Sequence, residues 1–174
     1  MLKHHIIYII GFMGSGKSTA GRKLARELGW SFIDLDTRIE EKAGRTISRI
    51  FSDDGEEIFR RIEAEVLKSL KTETETVIST GGGTPCFSDN MDFMLETGVT
   101  IYLKMSPEQL RKRLAESSHD RPLLKDIPDN MLQEFIEKKL AIREKWYNRA
   151  EIIIDSYRMN YTLLQSLVGK YLDI

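Results

Sequence analysis

The chain alternates short, continuous apolar runs with longer stretches in which apolar residues recur every three or four positions. Ile6 to Ile10 is unbroken and mostly β-branched, ending at Gly11, the pattern of a strand buried on both faces. From Lys17 the period changes: Ala20, Leu24, Ala25 and Leu28 fall on one helical face before Gly29 stops the helix. The alternation continues with a strand near Phe32 and Ile33, helical stretches over 37–71, a strand at Val77 and Ile78, and a helix near 91–96. Then come a strand over 99–103, a helix opened by Ser106 and Pro107, a long helix over about 128–147, a strand over 152–154 and a closing helix.

Five short apolar strands separated by helices predict a parallel sheet covered on both faces, because parallel neighbours need long crossovers and those are usually helical. The expected fold is three-layered α/β. A chain of 174 residues closes a core of its own, so one domain over 1–174 is expected. The only Pro-flanked polar stretch, 117–130, contains Asp120, Arg121, Pro122 and Lys125 and reads as a mobile flap.

Composition narrows the partners. With 41% hydrophobic and 30% charged residues the chain is neither disordered in type nor membrane-embedded. Lys plus Arg total 26 against 27 Asp plus Glu, and a net charge of -1 gives no basic footprint for nucleic acid. Cys86 alone makes no intramolecular disulfide, and no apolar run approaches the ~20 residues of a membrane span, so a reducing cytoplasm is the expected location. His4, His5 and His119 lack partners for a metal site or a nucleophile relay, and Cys86 after Pro85 reads as packing.

Chemistry enters with Gly11, Phe12, Met13, Gly14, Ser15, Gly16, Lys17 and Ser18, which spell G-x-x-x-x-G-K-[ST] between a predicted strand and a predicted helix. In that context the loop's amide N–H groups turn inward around phosphate oxygens at a helix's positive end. Lys17 would reach the outer phosphates and Ser18 would ligate magnesium.

That motif fixes nucleotide binding and nothing further. Asp34 and Asp36 follow the second strand, and two-residue spacing in an extended chain places both carboxylates on one side. One could hold a magnesium-bound water and the other accept a hydroxyl proton; equally, one could cap the next helix, with Asp36 before Thr37 and Glu40 a fair cap candidate. Gly81, Gly82 and Gly83 follow the strand at Val77 and Ile78, where backbone can approach a ligand or simply form a flexible loop. Arg60 and Arg61 each have a glutamate four residues earlier, Glu56 and Glu57, so surface pairing accounts for both. Arg143 lies among Lys138, Lys139, Lys145 and Arg149 on a generally basic helix.

Together these pieces resemble shikimate kinase over essentially the whole chain. The matching runs are Gly11 to Ala25 (GFMGSGKSTAGRKLA), Phe32 to Glu40, Gly44 to Phe51, Asp54 to Glu63 (DGEEIFRRIE), Thr80 to Gly83, Arg121 to Leu124, and Arg143 ahead of Tyr147. The resemblance implies a P-loop NTPase fold of the nucleoside-monophosphate-kinase-like type, with a five-stranded parallel sheet in the order 2-3-1-4-5 and a lid at 117–130. It implies ATP and Mg2+, held by Gly14, Ser15, Gly16, Lys17, Ser18 and Thr19, with the metal at Ser18 and, through water, Asp34. By resemblance, Asp36 is the general base. Arg60, Arg143 and Gly81, Gly82 and Gly83 hold shikimate, Glu63 orients Arg60, and Arg121 covers the phosphates. A monomer with small-molecule partners only, shikimate and ATP, is expected. Two positions depart from the family: Leu35 stands where a small polar residue is common, and 155–160 matches the adenine-contacting segment loosely. A gluconate-kinase-like enzyme, or a nucleotide-dependent switch without an acceptor, would share the phosphate loop but not the DGEEIFRRIE and triple-glycine pairing.

Overall fold

A computed structural model describes residues 5–116 and 127–172. Most of the expected flap, with Arg121, lies outside the described residues, as do His4 and His119.

Five strands form one parallel sheet in the order β2-β3-β1-β4-β5. They are β1 (Ile6–Ile10), β2 (Ser31–Asp34), β3 (Thr76–Ser79), β4 (Val99–Lys104) and β5 (Ile152–Asp155). All five β1 residues are buried, as a central strand covered on both faces requires. Its side chains alternate between two cores. Ile6, Tyr8 and Ile10 meet Ile78 and Tyr102 on one face, while Ile7 and Ile9 meet Val77, Val99 and Ile101 on the other.

Helices α1 (Lys17–Leu28) and α7 (Tyr161–Leu172) cover the second face through Ala20, Leu24, Ala25, Leu164 and Val168. The first face is closed by α2 (Leu35–Ala43), α3 (Ile47–Ser69), α4 (Asn90–Thr97), α5 (Pro107–Glu116) and α6 (Leu132–Tyr147). Local sequence sets the helix ends. Ser106 and Gln109 exchange side-chain and backbone hydrogen bonds at the start of α5, a reciprocal cap at 2.9 and 3.2 Å. The helical stretches expected over 37–71 are α2 and α3, and α3 itself breaks at Gly55 (φ 83°).

In a parallel sheet every carboxyl end faces the same edge. That edge carries the loop after β1, Asp34 of β2, and Ser79 with the glycine loop after β3. The chain runs from β1 to β2 on one side and later to β4 on the other, so β1 marks the point where such sheets open a crevice for ligand.

Candidate active site

The loop after β1 is built by backbone. Gly14 and Gly16 have φ values of 82° and 89°, a region that side-chain-bearing residues resist. Gly16 precedes α1, whose first turn has neither a side-chain cap nor an acidic residue, so its amides remain directed at the loop. Ser15 is buried and its Oγ has no hydrogen-bond partner. Lys17 is buried too and donates from Nζ to the Phe12 carbonyl at 3.0 Å. Thr19 is exposed in the first turn of α1. A buried hydroxyl lacking a partner, a buried ammonium and uncapped amides lie together where the loop enters α1, a set that suits polyphosphate.

Beside it, Ser18 Oγ donates to Asp34 Oδ2 at 2.7 Å and lies 3.2 Å from Ser79 Oγ. Among the described residues there is no cluster of three or more His, Cys, Asp or Glu able to cage a metal. Magnesium needs none: it keeps several waters and takes one or two protein oxygens plus phosphate oxygens. The Ser18–Asp34 pair fits that donor set.

The aspartate pair does not have the geometry its spacing implied. Helix α2 starts at Leu35, which is fully buried, so the chain between the two carboxylates is not extended. Asp34, not Asp36, is the cap, accepting from the amides of Asp36 and Thr37 at 3.1 and 3.4 Å. Asp36 is left without a capping duty. Its side chain opens onto the cleft and is exposed, yet protein crowds it on several sides. Partial burial, then the Asp34 carboxylate, push its pKa up to about 6 against the pull of Lys17, with Glu63 and Glu40 adding to the rise.

The two neighbouring arginines separate sharply. Arg61 pairs loosely with Glu57 at 3.9 Å, both exposed, which is the surface pairing foreseen for it. Arg60 is 11% exposed and donates from Nη1 to Glu63 at 2.8 Å and from Nε and Nη2 to Glu56 at 3.2 and 3.1 Å. It also lies 4.0 Å from the centroid of the Phe87 ring. Glu63 is fully buried and accepts from Thr84 Oγ1 at 2.6 Å. A buried carboxylate is tolerable only when so paired.

The glycine loop joins everything. A Cβ on Gly81 would stand 3.3 Å from Asp36 Oδ1, and one on Gly83 would stand 2.6 Å from Arg60 Nη2. One on Gly82 would stand 3.4 Å from Arg143 Nη1 and 3.2 Å from the Met13 amide of the phosphate loop. Successive glycines therefore touch the aspartate, then Arg143 together with the phosphate loop, then Arg60, and side chains there would fill the space between them. Arg143 lies 5.4 Å from the Phe12 ring centroid, and its Nη1 is buried without a partner.

All the expected residues that the structure describes thus gather at one edge of the sheet. Three contributors had no role assigned to them from the sequence. Ser79 is a polar residue at the end of an apolar strand. Arg113 comes within 2.9 Å of a Cβ built on Gly16; it follows Leu110 by three residues, beside the buried stripe of α5, whereas Arg111 and Lys112 are exposed. Tyr147 is fully buried and donates its hydroxyl to the Gly82 carbonyl.

A phosphate loop at the switch point of a parallel sheet, facing a wall that presents a carboxylate and two arginines, defines a P-loop kinase with a small anionic acceptor. Comparison with known proteins gives the family. The sequence profile described as shikimate kinase matches residues 13–170, and the chain belongs to the shikimate kinase family. It is 45% identical over 153 residues to a shikimate kinase of Parabacteroides distasonis, covering 88% of each chain. Its fold is similar to the crystal structure of shikimate kinase from Bacteroides thetaiotaomicron, with TM-score 0.88, 36% identity and coverage of 97% and 98%. It is similar also to shikimate kinase from Acinetobacter baumannii in complex with shikimate, with TM-score 0.84, 33% identity and coverage of 99% and 95%.

Proposed function

We propose that this protein transfers the γ-phosphoryl group of ATP to the 3-hydroxyl of shikimate, giving shikimate 3-phosphate and ADP for chorismate and aromatic amino-acid synthesis. One observation carries the reading: Gly81 to Gly83 touch Asp36, Arg143 with the phosphate loop, and Arg60 in turn. That arrangement supports an acceptor whose hydroxyl lies beside a carboxylate and whose own carboxylate meets guanidinium.

Each role follows from the local chemistry. The loop amides from Gly14 to Thr19, with Lys17, hold the outer phosphates, and the unpartnered Ser15 hydroxyl gains an acceptor. Ser18 and, through water, Asp34 would hold Mg2+, which neutralises phosphate charge when bound. Asp36 takes the proton of the acceptor hydroxyl; a value near 6 makes it a stronger base than an ordinary aspartate while leaving it mostly ionised at pH 7. Arg143 and Arg60 receive the acceptor's carboxylate in planar, charge-assisted hydrogen bonds. Of the two, Arg143 has the buried unpartnered donor, whereas Arg60 is already held by Glu56 and Glu63. Arg121, outside the described residues, is assigned to the charge on the transferring group.

The test is an ADP-release assay with shikimate, gluconate and nucleoside monophosphates offered separately. Release that rises with shikimate alone is expected. Release that rises with another acceptor, or is indifferent to all of them, overturns the reading in favour of a related kinase or a nucleotide switch.

A further inference from the structure

Helix α6 bears both Arg143 and, one turn later, Tyr147. The Tyr147 ring is fully buried, packed 5.0 Å from the ring centroid of Tyr102, and its hydroxyl donates to the Gly82 carbonyl across the cleft edge. Gly82 is also the residue whose missing Cβ leaves Arg143 Nη1 and the Met13 amide their room. Arg143 itself leans on the Tyr147 hydroxyl through a side-chain hydrogen bond, while its Nη1 has no hydrogen-bond partner and the Phe12 ring centroid at 5.4 Å is a soft contact. A rigid side chain on the same helix therefore ties the glycine loop to α6 at the point where Arg143 approaches it.

We propose that Tyr147 is a positioning residue for the acceptor site, a strut that sets the separation between the Gly82 backbone and the Arg143 guanidinium. This rests on the acceptor reading above. The strut touches neither ATP nor the reacting hydroxyl. Deleting it loosens one wall of the pocket and leaves the phosphate loop as it was. Removing the donor alone leaves the Gly82 carbonyl unpaired, so a local shift of the loop follows.

The test compares Tyr147→Phe with Tyr102→Phe. Tyr102 supplies the control because its hydroxyl is buried, close by and without a partner, so removing it breaks no strut. For Tyr147→Phe the KM for shikimate is expected to rise about fivefold, the factor set by about 1 kcal/mol of lost hydrogen bond, while the KM for ATP stays within about twofold. Tyr102→Phe should leave both constants in place. Thermal unfolding of both variants reports whether each is folded at the assay temperature. An unchanged shikimate KM in folded Tyr147→Phe overturns the strut, as does an equal rise in both variants. A Tyr147→Phe variant that does not fold makes Tyr147 a residue of the fold as a whole and overturns the positioning role. Wild-type protein that does not turn over shikimate at all overturns the acceptor reading instead, which separates the two failures.

Discussion

The phosphate loop and the acceptor wall share one sheet edge but are made in opposite ways. The first is eight consecutive residues whose working atoms are mostly backbone amides, shaped by glycines and a helix start. The second, as proposed, is drawn from Asp36 on α2, Arg60 on α3, the loop after β3 and Arg143 on α6, and would work through side chains. A backbone site tolerates changes of side chain except where a charge or a φ value is fixed. A side-chain site depends on the packing that aims each group, here Glu63 behind Arg60 and Phe12 beneath Arg143. Damage to the loop should therefore remove all use of ATP, whereas damage to the wall should remove use of the acceptor alone.

The largest effect should come from Lys17→Ala. Removing the buried cation from the transferring phosphate is expected to lower turnover on the order of 10⁴-fold. Transfer to shikimate and background ATP hydrolysis should fall together. Hydrolysis that survived while transfer vanished would erase the distinction between the two regions.

Asp36→Asn comes next. Loss of the base is expected to reduce transfer on the order of 10³-fold, with nucleotide affinity, read by titration, unchanged. In the wild type, kcat/KM should fall as pH drops through about 6, because protonated Asp36 cannot take the proton of the acceptor hydroxyl. A pH profile flat from 7 to 5 would remove Asp36 from the role of base. Arg143→Ala should be milder: losing charge-assisted hydrogen bonds to a carboxylate costs about 1.5–3 kcal/mol, so shikimate KM rises roughly 10- to 100-fold while ATP hydrolysis without acceptor holds steady. Equal effects on both substrates would make Arg143 part of the nucleotide site.

The same contrast explains what was legible in the amino acids. The phosphate loop was complete in one run, and the apolar strands gave the layers. The sheet order and the roles of the acceptor residues came by resemblance, because nothing in local pattern says which distant segments meet. Some of the wall was nonetheless written in helix phase. Ile136, Leu140, Arg143 and Tyr147 follow a four-three-four spacing, which puts Arg143 on the inward stripe of α6 despite its basic neighbours. Phe59 and Glu63 share the inward stripe of α3, so Arg60, next to Phe59, is drawn in, and Arg61 points out. The aspartate pair misled because strand spacing was extended one residue too far; burial of Leu35 begins the helix and turns Asp36 toward the glycine loop.

The smallest expected effect tests whether the wall is strained before any ligand arrives. A carboxyl whose value is higher in the folded state holds its proton more tightly there, so ionising it destabilises the fold. For Asp36 the cost is complete above about 6 and is gone below the ordinary 3.8. The exposed face of the side chain lets water screen its neighbours, which keeps the cost small. Asp36→Asn should therefore raise Tm by about 1–3 °C at pH 7, and the gap should close as pH falls from about 6 to 3.8. Asp34→Ala supplies the opposite case, since it removes the side-chain oxygens that cap α2 and accept from Ser18, and should lower Tm at pH 7. If both substitutions moved Tm the same way at pH 7, the division of labour between the capping aspartate and the crowded one would fail. So would the idea that the acceptor wall gives up stability to hold a base.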